Sequence, residues 1–107
     1  MARIFNTIYN SSEEIEAELN HELEEPSMYT VIMHNDHYTT MPFVVEVLKK
    51  VFHKSAEEAN NLMMQIHTEG STVCGIYIYD IANTKVSHVH ALAKHAGFPL
   101  RCSMEEV

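Results

Sequence analysis

Asn35, Asp36 and His37 follow one another directly, and together they offer an amide, a carboxylate and an imidazole. They stand between Tyr29-Thr-Val-Ile-Met33, a β-branched and apolar stretch suited to a strand, and a stretch in which Phe43, Val44, Val47, Leu48, Val51 and Phe52 recur at helical spacing. The chain must turn at the three polar residues, and such a junction leaves room for a ligand. Asn and Asp also have a plainer reading, as turn residues whose side chains satisfy nearby amides. His67, one turn beyond Met63 at the edge of another apolar face, reads by itself as a boundary residue. As a set they say more. Asn35 brings an amide oxygen, a neutral His67 a ring nitrogen and Asp36 a full negative charge, and these suit a primary ammonium, which has three donors and no acceptor.

The same neighbourhood admits a metal reading. Alternate residues of a strand share a face, so His34 and Asp36 could converge on one ion with His37 and His67 as further ligands. That set has no recognised spacing and no second cluster beside it, and a metal-dependent enzyme stands as an alternative only. His88 and His90 point apart on a helix and, with His53 and His95, read as surface residues. Met41, Met63 and Met64, together with Val44, Ile66 and Leu100, read as core, although flexible thioethers can also line a pocket that accepts differently shaped apolar groups. The chain has no Gly-rich phosphate loop, no paired-Cys metal motif and no defensible Ser-His-Asp order.

The elements that must position these residues follow from local signals. Ser55-Ala-Glu-Glu58 is a capping box that predicts a helix start, with Ala59, Leu62, Met63 and Ile66 on its buried face and Gly70 at its end. Val73 to Tyr79 predicts a second strand, in which Gly75 suggests a bulge or a close approach of another backbone. Asp80 predicts the cap of a third helix, with Ala82, Val86, Val89 and Ala93 as its buried stripe and Gly97 and Pro99 ending it. Pro99 to Met104 predicts a last strand. The order β-α-α-β-α-β predicts a compact α/β sandwich, three helices against a three-stranded sheet.

Composition bounds the rest. With 107 residues and 46% hydrophobic content the chain predicts one modest domain. No apolar run approaches the roughly 20 residues a membrane crossing needs, and Met1-Ala-Arg-Ile-Phe-Asn lacks the layout of a signal peptide, so a cytoplasmic protein is expected. Cys74 and Cys102 are then expected to be free, packing as small hydrophobes. The charge of −8 is lopsided: seven acids face Arg3 alone before Pro26, a net of −6, and residues 26–107 carry only −2. A weakly acidic body without a basic stripe excludes the usual nucleic-acid footprint. Residues 1–25 read as a mobile acidic arm, in which Ile15, Leu19 and Leu23 could form a transient helix, and Pro26 marks the boundary of the folded domain, residues 26–107.

Residues 26–107 closely resemble the ClpS adaptor family. The matching pieces are Pro26-Ser-Met-Tyr, Val31-Ile-Met-His-Asn35-Asp36, Tyr38-Thr39-Thr40-Met41, Phe43-Val44-Val45-Glu-Val-Leu48, Leu62-Met63-Met64-Gln-Ile-His67, Val73-Cys-Gly-Ile-Tyr77, Asn83-Thr-Lys85-Val86 and Pro99-Leu100-Arg-Cys102. The resemblance implies an antiparallel sheet and a bacterial adaptor without catalysis or cofactor. Such an adaptor captures proteins through an N-terminal Leu, Phe, Tyr or Trp (an N-degron) and hands them to the ATPase ClpA for degradation by ClpP. It implies that Asn35 and His67 hold the substrate α-amino group with Asp36 as an adjoining acid. Met41, Val44, Met63, Ile66 and Leu100 would wall the side-chain pocket, with Thr39 at its rim. Lys85, and more loosely Asp80, would dock on the ClpA N-domain, and the acidic arm stands where the family keeps its delivery extension. A regulator that binds ClpA without capturing substrate is a further alternative. Two positions depart from the family pattern: His37 stands where an acid is usual, giving the rim a group that titrates near physiological pH, and Pro42 stands where Glu is usual. Pro42 also disfavours α geometry at Met41.

Overall fold

The computed structural model describes residues 26–107, and the arm expected over residues 1–25 lies outside the described residues. Its elements follow the predicted order: β1 (Met28–His34), α1 (Met41–Phe52), α2 (Ala56–Glu69), β2 (Ser71–Ile78), α3 (Tyr79–Ala96) and β3 (Arg101–Glu106). β1 lies at the centre of an antiparallel sheet of order β2-β1-β3. The edge strands depart from their predicted bounds. β2 already starts at Ser71, paired with His34, and β3 begins after Pro99, which has no N–H to give a ladder, and continues until Glu106 faces Tyr29.

One cluster holds the layers together. Val31 and Met33 of β1, Cys74 of β2 and Cys102 of β3 meet Val44, Val47 and Leu48 of α1, Ala59 and Ile66 of α2, and Ala82, Val89 and Ala93 of α3. Each fully buried aliphatic side chain is worth about 1.5–3 kcal/mol relative to exposure. Both cysteines are free, and burial pushes each thiol up to about 12, so they pack as apolar groups.

Helix ends obey local chemistry with two exceptions to the sequence reading. Ser55 Oγ accepts from the Glu58 amide at 3.1 Å as predicted, but the Glu58 carboxylate faces Lys54 at 3.6 Å rather than closing the box. Asp80 does not cap α3. The chain passes from β2 into the helix with no linker, so the cap position falls on Ile78, which makes no side-chain cap, and Asp80 contributes its charge to the first turn instead. An edge-on pair of Tyr29 and Tyr79 rings, 5.3 Å between centroids, packs against that start.

The irregularity expected at Gly75 is present. Val31 faces Gly75 and Ile32 faces Val73, so Cys74 is the extra residue of a bulge. What approaches Gly75 is a side chain and not a backbone: a Cβ there would collide with the ring of Tyr77.

Candidate functional site

Three elements and one turn deliver the polar residues to one place. β1 ends at His34, and the Asn35 amide then donates to the Gly70 carbonyl at 2.9 Å. Gly70 is the left-handed end of α2 (φ 94°), with its own N–H on Ile66. One hydrogen bond therefore fastens the end of the central strand to the last turn of α2, the turn that carries His67. Asp36 shapes the next step. Its Oδ1 accepts from the amides of Tyr38 at 2.8 Å and Thr39 at 2.7 Å, and its Oδ2 accepts from the Thr39 hydroxyl at 2.7 Å. Partial burial pushes the Asp36 carboxyl up, but the Thr39 and Tyr38 hydrogen bonds and neighbouring His37 outweigh it, leaving its pKa below the ordinary value.

That turn feeds Thr40, whose hydroxyl accepts from the Phe43 amide at 3.4 Å as the N-cap of α1. The expectation that Pro42 displaces Met41 from α geometry is not met: Met41 opens the helix, and Pro42 occupies the first turn, where a missing N–H costs no helical hydrogen bond. Met41 remains 40% exposed.

Between these segments lies a cavity of about 250 Å³, lined by Asn35, Asp36, His37, Thr39, Met41, Val44, Met63, Ile66 and His67. Its walls are two turns of α1 and α2, apolar because Val44 and Ile66 belong to the core, and its rim is polar because the strand-to-helix turn and His67 meet there. Among the described residues, neither the Asn35 amide group nor the His67 ring is engaged in a side-chain hydrogen bond. An apolar hole beside a few oriented polar groups is the form of a small-ligand binding site.

Leu100 is not part of this lining. It is 4% exposed and buried with Val44 and Ile66 in the core, following a Phe98 ring that packs on Phe43 at 4.9 Å. His34 is also elsewhere: its Nε2 meets Ser103 Oγ of β3 at 2.7 Å, and partial burial, then Arg101, lower its pKa against an opposing pull from Glu105. Among the described residues no three His, Cys, Asp or Glu side chains gather as a metal site, so the ligand set drawn from His34, Asp36, His37 and His67 does not form.

Lys85 and Asp80 share a second cavity, of about 290 Å³, with Val51, Ile81, Thr84 and His88. The Lys85 ammonium is turned inward. It donates to the Val51 carbonyl at 2.6 Å, in the last turn of α1, and lies 5.4 Å from the Tyr77 ring centre and 5.9 Å from that of Phe52. Sequence reasoning missed this bond, since nothing in the spacing of residues 51 and 85 announces it. It also missed the bond of His90, which is exposed as expected but whose Nε2 accepts the Cys102 amide at 3.0 Å.

A family model described as ATP-dependent Clp protease adaptor protein ClpS matches residues 24–103. The ATP-dependent Clp protease adapter protein ClpS of Syntrophus aciditrophicus is 50% identical over 102 residues, 95% of this chain and 95% of its own length. That of Oleidesulfovibrio alaskensis is 50% identical over 98 residues, 92% of this chain and 94% of its own. A solved structure, Agrobacterium tumefaciens ClpS2 bound to L-phenylalaninamide, is similar with a TM-score of 0.75 and 41% identity, covering 78% of this chain and 100% of that one. The chain belongs to the ClpS family of Clp protease adaptors. Among the described residues no helix is long and apolar enough to cross a membrane.

Proposed function

We propose that the cavity at Asn35 and His67 binds the free N-terminus of a polypeptide beginning with Leu, Phe, Tyr or Trp, and that the protein delivers such substrates in the cytoplasm to ClpA for degradation by ClpP, with no catalysis of its own. The observation that carries this is the pairing of two acceptors, uncommitted among the described residues, with an apolar hole on one rim, held together by the Asn35 to Gly70 hydrogen bond. A peptide α-amino group, with a pKa near 8, is mostly protonated at neutral pH and brings three donors to that rim. Met41, Val44, Met63 and Ile66 would take the first side chain, whose burial is worth about 1.5–3 kcal/mol. Thr39 would border it. Asp36 would contribute charge from a fixed position, its oxygens being held by the turn. The relative bound to L-phenylalaninamide supports the reading, because that ligand is a free amine carrying a benzyl side chain.

For delivery, the second cavity at Asp80 and Lys85 is the proposed ClpA-facing surface, and residues 1–25 the proposed extension that ClpA engages. The test is a reconstituted degradation reaction with ClpA, ClpP and reporters beginning Phe or Gly. The full chain is expected to accelerate loss of the Phe reporter only, and a chain lacking residues 1–25 is expected to bind the Phe reporter without accelerating its loss. Equal loss of both reporters, or full delivery by the shortened chain, would contradict the proposal.

A further inference from the structure

The rim of the first cavity has an unusual charge balance. Its lining holds one carboxylate, Asp36, and two imidazoles, His37 and His67. Both Asp36 oxygens are turned into their own loop, on the amides of Tyr38 and Thr39 and the hydroxyl of Thr39, so little of that carboxylate is left to meet a ligand. His37 is exposed, lines the cavity and stands one residue from Asp36, close enough to act on its charge. An imidazole carries at least one N–H donor in either protonation state, so His37 presents a donor at any pH.

We infer that His37 makes this site accept substrates whose second residue is Asp or Glu. The inference rests on the proposed capture of a free N-terminus. If the first side chain fills a hole of about 250 Å³ and the α-amino group lies at Asn35 and His67, the second side chain starts only about 3.8 Å further along the chain and stays outside, at the rim. There a carboxylate meets an exposed N–H donor at His37, whereas an acid at that position would confront it with a like charge. Two unit charges about 7 Å apart in surroundings nearly as polar as water repel enough to change affinity about threefold to tenfold. His37 is thus a specificity-determining residue for the second position, separate from the acceptors that hold the first.

The test is a fluorescence titration of the full chain with three peptides identical except for their opening: Phe-Ala, Phe-Glu and Phe-Lys. The native protein is expected to bind Phe-Glu within about threefold of Phe-Ala. In His37→Asp the Phe-Glu affinity should fall about threefold to tenfold relative to Phe-Ala, while Phe-Lys gains. Native protein that binds Phe-Ala but disfavours Phe-Glu tenfold or more would overturn the inference and leave the capture reading intact. An unchanged Phe-Glu to Phe-Ala ratio in a folded His37→Asp would also overturn it, and absence of Phe-Ala binding would sink the capture reading and this inference together.

Discussion

The two cavities use their polar groups in opposite ways. At the first, the fastening is done by the Asn35 backbone amide on Gly70 and by the Asp36 carboxylate on the amides of Tyr38 and Thr39, and among the described residues the Asn35 and His67 side chains are left uncommitted. At the second, the most prominent charge, Lys85, is itself the fastener: its ammonium ties the end of α1 to α3 and lies against two rings. The difference separates substitutions that report on binding from those that report on folding. Asn35 and His67 belong to the first kind, and Lys85 belongs to both.

The largest stability effect expected from that contrast is at Lys85. Lys85→Glu removes the donor to Val51 and brings a negative charge to the negative end of α1, where the helix dipole opposes it. A loss of roughly 2–3 kcal/mol follows from a charged hydrogen bond and the ring contacts, with Lys85→Met losing less. Urea unfolding checks this. A Lys85→Glu midpoint equal to the native one would mean the ammonium is free for a partner, and the contrast between the cavities would disappear.

Gly70→Ala strikes the junction that assembles the first cavity. A Cβ would meet nothing within 4 Å, so the cost is purely that of a left-handed φ of 94°, roughly 1–2 kcal/mol. Because the Gly70 carbonyl holds Asn35, peptide affinity should fall along with stability. Stability lost with affinity untouched would detach the junction from the site.

The smallest effect is expected at Asp36, a partly buried group at the molecular surface. Asp36→Asn should cost about 0.5–1 kcal/mol at neutral pH through weakened turn hydrogen bonds. The folded pKa is depressed below the ordinary 3.8, so this contribution is complete above pH 3.8 and is lost as pH falls through the lower folded value. Native and variant stabilities measured by denaturant melts from pH 7 to pH 2.5 should therefore converge at the acid end. Parallel curves across that range would show that the ionised carboxylate does not support the turn.

The order of elements was legible in the sequence because it rests on local signals: periodicity, the Ser55 cap, the Gly70 stop and the polar turn. Met41, Val44, Met63 and Ile66 read from those signals as core, and only the family resemblance marked them as walls of a pocket. What the sequence hid is long-range and directional. No local rule pairs Lys85 with the carbonyl of Val51, or His90 with the amide of Cys102, since the first depends on how α3 lies against α1 and the second on how it lies against β3. Asp80 looked like a cap because its type suits one, but the absence of a linker after β2 moved the cap position to Ile78. Leu100, named as a pocket wall only by the family resemblance, is buried in the same core cluster as Val44 and Ile66, one layer that both fills the interior and backs the cavity.

The central claim, that Asn35 and His67 exist to receive a free α-amino group, is tested most directly by titrating one peptide beginning Phe in two forms, free and N-acetylated. Acetylation leaves the benzyl group intact and replaces an ammonium with three donors by an amide with one. Tight binding of the free peptide and none of the acetylated one is expected, with Asn35→Ala and His67→Ala each costing the free peptide about 1–3 kcal/mol while circular dichroism shows a native fold. Equal affinity for the two forms would contradict the account.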